Sequence, residues 1–110
     1  MLDFDTFLQV DMRVGKVLRA AAFPEARKPA LKLWVDFGPE IGERKTSAQI
    51  TDNYTPESLA GRLVVGVVNF PPRQIGRFMS EFLLLGSADE AGGIVLLTPE
   101  KTVPLGGRIH

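Results

Sequence analysis

Short apolar segments, each bounded by glycine, proline or polar residues, are the feature that most constrains the fold of this chain. The clearest is residues 31–37, LKLWVDF, in which leucine, valine and phenylalanine alternate with other side chains at the two-residue period of a half-buried strand. Five other segments have strand character, namely residues 12–20, 44–50, 63–70, 82–86 and 93–99. Gly15, near the middle of the first, suits a bulge or a kink.

Two short helices are predicted among these strands. Residues 2–8 form a short amphipathic segment with the aromatic side chains on one side. Between the third and fourth strands, Thr55 serves as an N-cap, Pro56 occupies the first helical position and Gly61 ends the helix. We therefore expect an all-β fold, a five-stranded oligonucleotide-binding (OB) barrel with one short helix between strands 3 and 4 and a short N-terminal helix. A small β-sandwich is the alternative, and residues 38–43 are expected to form a turn.

Composition limits the classes of function. The 110 residues suffice for one domain, residues 1–110, and contain no cysteine, which excludes disulfides, thiolate catalysis and sulfur-ligated metal sites. The one histidine is His110, and no phosphate-binding loop, dinucleotide fingerprint or metal-spaced cluster occurs. We therefore expect a binding protein that is not an enzyme and has no cofactor or metal. Neither a signal peptide nor a membrane-spanning run is indicated, so we expect a cytoplasmic protein without membrane insertion.

The charges are segregated along the chain although they cancel overall. Residues 13–32 contain six bases and one acid, and residues 62–77 contain three bases and no acid. The remainder holds four bases and twelve acids. If the two basic segments meet in the fold, they form a positive surface that holds phosphate with a salt-dependent affinity. The alternative is an ordinary solvated surface.

Residues 69–81, NFPPRQIGRFMSE, form an unusual connection between two apolar runs. Its two prolines stiffen the backbone, which lowers the entropy lost when a ligand orders it. Arg73 and Arg77 can each donate several hydrogen bonds to a phosphate or a carboxylate. This connection is therefore predicted to be the rim of a binding site. Trp34, whose phase on its strand is opposite to that of the apolar residues, either packs under the N-terminal helix or against a second subunit, or offers a stacking platform to a base.

The order and spacing of several motifs resemble the tRNA-binding domain, an OB-fold module that is appended to some methionyl- and phenylalanyl-tRNA synthetases and also occurs as free-standing proteins. The motifs are DMRVGKV from residue 11, VDFG from residue 35 and NYTPESLAGRLVVGVVNFPPRQIGRFMSE from residue 53, and they span almost the whole chain. The pieces that carry the resemblance are Arg13-Val14-Gly15, Asp36, Ser47, Tyr54-Thr55-Pro56-Glu57, Leu59, Gly61, Asn69, Pro72, Gly76 and Ser80. The resemblance implies an OB fold and tRNA or another structured RNA as a ligand.

Within that family, the chain resembles the CsaA proteins. The segments FPEAR from residue 23, TSAQIT from residue 46, VVNFPPR from residue 67 and IVLLTP from residue 94 carry this likeness. CsaA proteins are homodimers described as export-related chaperones, so the resemblance implies a homodimer and an unfolded polypeptide or preprotein as a partner. The N-terminal aromatic residues and the tail, residues 102–109, are the expected dimerisation extensions. A structural or adaptor role through dimerisation alone is a further hypothesis.

The chain departs from the usual family pattern at two places. Ser47-Ala48 stands where the family usually has Ser-Gly, and Phe82-Leu83 stands where it usually has Gly-Met. Both changes add bulk close to the expected site and leave room for an apolar pocket that takes peptide side chains.

Two overlapping sets of site residues follow from these hypotheses. The RNA-binding set is Lys16, Lys32, Lys45, Asn69, Arg73, Arg77 and Ser80. The peptide-binding set is Ser47, Gln49, Phe70, Arg73, Phe78 and Phe82. The first hypothesis is an export-related chaperone built on a tRNA-binding domain, and the alternative is a protein whose primary ligand is tRNA. It also remains open whether Asn69 and Ser80 only tie the connection to itself while Phe70 belongs to the core.

Overall fold

The computed structural model describes all residues, Met1–His110, as an assembly of nine short strands and three short helices. The strands are β1 (Met12–Ala22), β2 (Leu31–Asp36), β3 (Glu43–Ala48), β4 (Leu63–Val67), β5 (Arg73–Ile75), β6 (Phe78–Ser80), β7 (Leu83–Leu84), β8 (Gly86–Ala88) and β9 (Ile94–Leu96). The helices are α1 (Phe4–Leu8), α2 (Gly38–Ile41) and α3 (Pro56–Leu59). None of the helices has the length and apolar character needed to cross a membrane.

One antiparallel sheet of five strands, in the order β3-β2-β1-β4-β7, curls into a nearly closed barrel. The OB-like fold predicted from the sequence is therefore confirmed. The alternation along β2 supplies much of the core, because Leu33 and Val35 are fully buried while Trp34 between them is not. Gly15 lies against Val35 with no room for a side chain, and the bulge of β1 falls instead between Val17 and Arg19.

Two connections are more ordered than the sequence predicts. Residues 38–43, expected to be a turn, contain the single turn α2, in which the Gly42 N–H donates to the Gly38 carbonyl at 2.7 Å. Residues 69–81 contain a β5–β6 hairpin, whose turn is made possible by Gly76 at a φ of 61°. The predicted strand at residues 82–86 is divided into β7, which joins the barrel, and β8, which pairs with β9.

The C-terminal tail, expected from the sequence to be a dimerisation extension, pairs with the first half of β1. The Val14 N–H donates to the Gly107 carbonyl at 2.9 Å, and the Gly106 N–H donates to the Val14 carbonyl at 2.8 Å. The Ile109 N–H donates to the Met12 carbonyl at 2.9 Å. These bonds cover the part of β1 that β2 leaves unpaired, since β2 begins its pairing with β1 only at Lys16.

Hydrogen bonds between β3 and residues 80–82 close the barrel. The Lys45 N–H donates to the Glu81 carboxylate at 3.1 Å, and the Glu81 N–H donates to the Lys45 carbonyl at 2.8 Å. Beside them, the buried Thr46 hydroxyl lies 2.8 Å from Ser80 Oγ and 2.8 Å from the Phe82 carbonyl oxygen. Because residues 80–82 directly follow β6, the same bonds fix the β5–β6 hairpin to the barrel.

Replacement of Thr46 by valine keeps the shape of the side chain and removes its hydroxyl. We expect the free energy of unfolding to fall by about 1–3 kcal/mol, because the buried Phe82 carbonyl loses its partner. Urea denaturation measures this change, and hydrogen exchange should show faster opening at Ser80. Thr102→Val, at an exposed position, is the matched control and should change stability by less than about 0.5 kcal/mol. Equal stability of the Thr46 variant and the parent protein would contradict this role.

Candidate functional site

The outward side chains of β1, β2 and β3 form three rows that run across the strands. The rows are Lys16, Asp36 and Glu43; then Arg19, Trp34 and Lys45; then Ala21, Lys32 and Ser47. The first row contains two acids, and the other two rows contain none. Of the predicted RNA-binding lysines, Lys32 and Lys45 therefore lie in adjacent acid-free rows, while Lys16 lies beside carboxylates.

The β5–β6 hairpin brings Phe78 onto this face. Its ring packs at 5.5 Å from the Phe23 ring and meets the Trp34 ring edge-on at 6.2 Å, and it is almost completely buried. The Nζ atoms of Lys32 and Lys45 lie 5.3 and 5.2 Å from the centre of the Phe78 ring, within the range of cation–π attraction. Both ammonium groups therefore lie against the same ring, and we call Lys32 and Lys45 the lysine pair.

Trp34 is covered by a cation. The guanidinium carbon of Arg19 lies 3.6 Å from the centre of the Trp34 ring, so that Arg19 occupies one face of the indole. The tryptophan is thus packed, but its partners are Arg19 and Phe78 and not the N-terminal helix that was considered from the sequence. A base could stack on this face only after displacing Arg19.

A cavity of about 400 Å³ lies between the β1–β2 loop and the β5–β6 hairpin. Arg27 and Lys28 line it from the loop, and Arg73 lines it from the hairpin. Ser47 and Gln49 of the predicted peptide-binding set also line it, and no acidic residue does. We call this the basic cavity.

A neighbouring cavity of about 480 Å³ is lined by Lys32, Arg77 and Glu25. The Glu25 carboxylate lies 3.8 Å from Lys32 Nζ, an exposed ion pair of small energetic weight. The two basic segments of the sequence thus meet at the β5–β6 hairpin. The structure therefore has the positive surface, which was one of the two alternatives stated in the sequence analysis.

Other bases of the same segments are held elsewhere. Arg13 donates to the Asp11 carboxylate at 2.6 Å, and this hydrogen bond raises the pKa of the Arg13 guanidinium. Arg62 donates to the Ser58 carbonyl at 2.7 Å and lies over the Tyr54 ring. The positive surface therefore contains fewer cations than the sequence count suggests.

Asn69 and Ser80, both in the predicted RNA-binding set, have partners within the protein. The Asn69 side chain accepts from the Asp11 N–H at 3.0 Å and donates to the Gln9 carbonyl at 2.7 Å. Asn69 thus ties the connection to the N-terminal segment, and Ser80 is bonded to Thr46. Any role of these two residues in binding stays a prediction.

An apolar cavity of about 280 Å³ adjoins Arg73 on the hairpin. Phe70, Phe82 and Leu83 line it, and of these Phe70 and Leu83 are exposed at the surface while Phe82 is buried. Phe82 packs edge-on against Phe37 at 4.9 Å in the main core. Phe70 is therefore a surface residue and not part of the core.

The structure adds residues that the predicted sets did not contain. Arg27 and Lys28 lie in a loop rich in proline, where the sequence offers no period from which their direction can be inferred. Leu83 directly follows the buried Phe82 and is exposed at the start of β7, a strand of only two residues. The departure of Phe82-Leu83 from the family pattern is the one signal in the sequence that pointed to Leu83.

Comparisons with known proteins agree with this architecture. A family model described as a putative tRNA-binding domain matches residues 12–108. The methionine–tRNA ligase of Methanococcus aeolicus is 36% identical over 109 residues, which are 99% of this chain and 16% of the ligase, so the chain spans a small part of that relative. The crystal structure of chaperone CsaA from Bacillus anthracis has 49% identity and a TM-score of 0.93, and the match covers 100% of this chain and 99% of that one.

A CsaA chaperone protein from Picrophilus torridus is also similar. Its crystal structure has 43% identity and a TM-score of 0.93, with 100% of both chains covered. Together, the match to the family model and these full-length likenesses establish what the motifs indicated. The chain belongs to the tRNA-binding domain family, within which it is similar to the CsaA proteins.

Proposed function

We propose that this protein binds structured RNA, above all tRNA, through the basic cavity and the lysine pair. The observation that carries the proposal is the convergence of Arg27 and Lys28 with Arg73 on a cavity without acids, beside two lysines held by one aromatic ring. Cations clustered in this way neutralise several adjacent phosphates and release their counterions. The family match over residues 12–108 supports the same ligand.

The proposed role is binding without catalysis. The polar groups that line the basic cavity are guanidinium, ammonium, hydroxyl and amide groups, which position phosphates and sugars by charge and hydrogen bonds. Arg73 is central because it lines both the basic cavity and the apolar cavity beside Phe70.

Replacement of Arg73 by alanine tests the RNA proposal. We expect tRNA affinity to fall and the slope of log affinity against log salt to decrease by about 1, since one phosphate contact is lost. Fluorescence anisotropy between about 50 and 200 mM salt measures both quantities. Arg62→Ala is the matched control, because Arg62 is engaged with Ser58 and Tyr54, and it should leave the slope unchanged. A flat salt response of the parent protein would contradict the proposal.

An unfolded polypeptide or preprotein is the second ligand that we propose, in an export-related chaperone role. The observation that favours it is the apolar cavity, where Phe70 and Leu83 are exposed next to Arg73. Exposed apolar side chains beside a cation suit a polypeptide segment that carries apolar and acidic groups. The likeness to two structures described as CsaA chaperones supports the same role. Since Arg73 borders both cavities, the two ligands would compete.

Two exposed leucines allow a matched test of this second role. Leu83 lines the apolar cavity and is 48% exposed, while Leu97 lies outside it and is 46% exposed. We expect Leu83→Ser to weaken suppression of the aggregation of a denatured client about fivefold, because burial of half a leucine contributes about 1 kcal/mol. Leu97→Ser should have no effect. Light scattering at equal subunit concentration measures both, and an equal loss in the two variants would refute a specific site.

A homodimer assembled through α1 and the tail is the third part of the proposal. Helix α1 has no buried residue. Phe4 and Leu8 on the helix, and Val10 just after it, expose apolar side chains. Arg108 in the tail donates to the Leu8 carbonyl at 2.7 Å, so α1 and the tail form one continuous surface. A second copy of this surface would cover these side chains.

Sedimentation of a variant with Phe4→Ser and Leu8→Ser tests the dimer. We expect a folded monomer whose thermal stability is lower than that of the parent only by the lost subunit association, because neither side chain is buried within the chain. Val95→Ser, at another exposed apolar position, is the control and should sediment like the parent. Deletion of the tail is less informative about the dimer, because it also removes the hydrogen bonds between the tail and β1 and so changes the fold of the monomer. A double variant that sediments like the parent would argue against this interface.

A further inference from the structure

The edge of β3 next to the basic cavity has backbone groups without partners. The Lys45 N–H and carbonyl point away from β2, since both bond to Glu81. In an antiparallel ladder the direction of the backbone groups repeats every second residue, so the N–H and carbonyl of Ser47 also point away from β2. The Ser47 carbonyl accepts from the Thr46 hydroxyl at 3.4 Å, which leaves the N–H as the free group. Gln49, which follows the strand, donates no backbone hydrogen bond. Ser47 and Gln49 thus offer free backbone donors at residues that line the basic cavity.

The cations of this cavity form no ion pairs within the chain. The ion pairs of the chain involve Arg13, Lys32 and Arg108, and none involves the three bases that line the basic cavity. Besides these bases and the polar residues Ser47 and Gln49, the cavity is lined by apolar side chains, which are those of Ala26, Ala30, Ala48 and Ile75. The cavity therefore combines unpaired positive charge, an apolar wall and a polar edge.

These three properties match the parts of one nucleotide. A phosphate can accept hydrogen bonds from the guanidinium and ammonium groups. The face of a base can pack against the apolar wall. The donors and acceptors at the edge of a base can bond to the strand edge and to an amide side chain. The volume of about 400 Å³ is sufficient for a single nucleotide and too small for a duplex. An acidic peptide added as a strand to β3 would use the backbone groups and the charge, but its acidic side chains offer no flat apolar face to the wall.

We propose that the basic cavity takes one unpaired nucleotide of the bound RNA. Its base edge bonds to the backbone of Ser47 and the side-chain amide of Gln49, and its phosphate is held by Arg27, Lys28 and Arg73. This inference rests on the proposed RNA function and narrows the ligand to RNA with an unpaired nucleotide in a loop, bulge or end. A continuous duplex would bind through phosphates alone and with lower affinity.

Amide chemical shifts of the full chain test the nucleotide site directly. Adenosine, cytidine, guanosine and uridine 5′-monophosphates are titrated separately, with inorganic phosphate at equal ionic strength as the control. We expect at least one nucleotide to shift the Ser47 and Gln49 amides, whereas phosphate alone shifts only residues near Arg27 and Arg73. Shifts at Ser47 and Gln49 that phosphate reproduces, or no shift with any nucleotide, would overturn the inference.

A second measurement compares an RNA hairpin that has an unpaired loop with a blunt duplex of the same number of phosphates. We expect the hairpin to bind about tenfold more tightly, and Gln49→Ala to remove most of this preference without altering the affinity for the duplex. Gln9→Ala, at an exposed glutamine on the N-terminal segment, is the matched control and should retain the preference.

The outcomes separate this inference from the proposed function. Salt-dependent binding of both RNAs with equal affinity would overturn the nucleotide site and leave RNA binding in place. Failure of both RNAs to bind would overturn both. A tetraglutamate peptide that shifts the Ser47 and Gln49 amides at lower concentration than every nucleotide would assign the cavity to acidic polypeptide and overturn the inference as well.

Discussion

The candidate site depends on how β3 is joined to residues 80–82. The Thr46 hydroxyl and the Glu81 carboxylate make the bonds that close the barrel, and both act at the base of the β5–β6 hairpin. Because the hairpin leaves the barrel at this fixed point, Arg73 and Phe78 lie over the outer face of β2 and β3. A buried hydroxyl with its partners in place is costly to disrupt, so the geometry of the positive surface is coupled to the stability of the core.

The distribution of charge matters more here than its sum. The net charge is zero, yet ion pairs and aromatic contacts place Arg13 and Arg62 away from the hairpin and leave Arg27, Lys28 and Arg73 unpaired around one cavity. Among the three rows of outward strand side chains, the acids lie only in the row that contains Lys16, and Glu25 of the β1–β2 loop is paired with Lys32. A surface of this kind attracts a polyanion locally although the molecule as a whole has no net charge.

Regular patterns in the sequence predicted the parts of the fold that depend on local structure. The alternation in residues 31–37 identified β2 and its buried face, and Thr55 with Pro56 identified α3. The β5–β6 hairpin was missed because strands of three residues are too short to show a period. Pairing of the tail with β1, and of Asn69 with Gln9, joins residues far apart in the chain, which no local pattern records. The side-chain directions of Arg27 and Lys28 could not be predicted either, because a proline-rich loop has no regular period.

The central claim is that separated basic segments form one RNA-binding surface at the β5–β6 hairpin. A titration of the isotope-labelled protein with tRNA, followed by amide and arginine side-chain signals, tests it most directly. The account predicts that the largest changes fall on the β1–β2 loop, the lysine pair and the hairpin, and that the turn at residues 89–93 on the β8–β9 hairpin is unaffected. Changes centred on that turn or on α3, with the hairpin unaffected, would contradict the account.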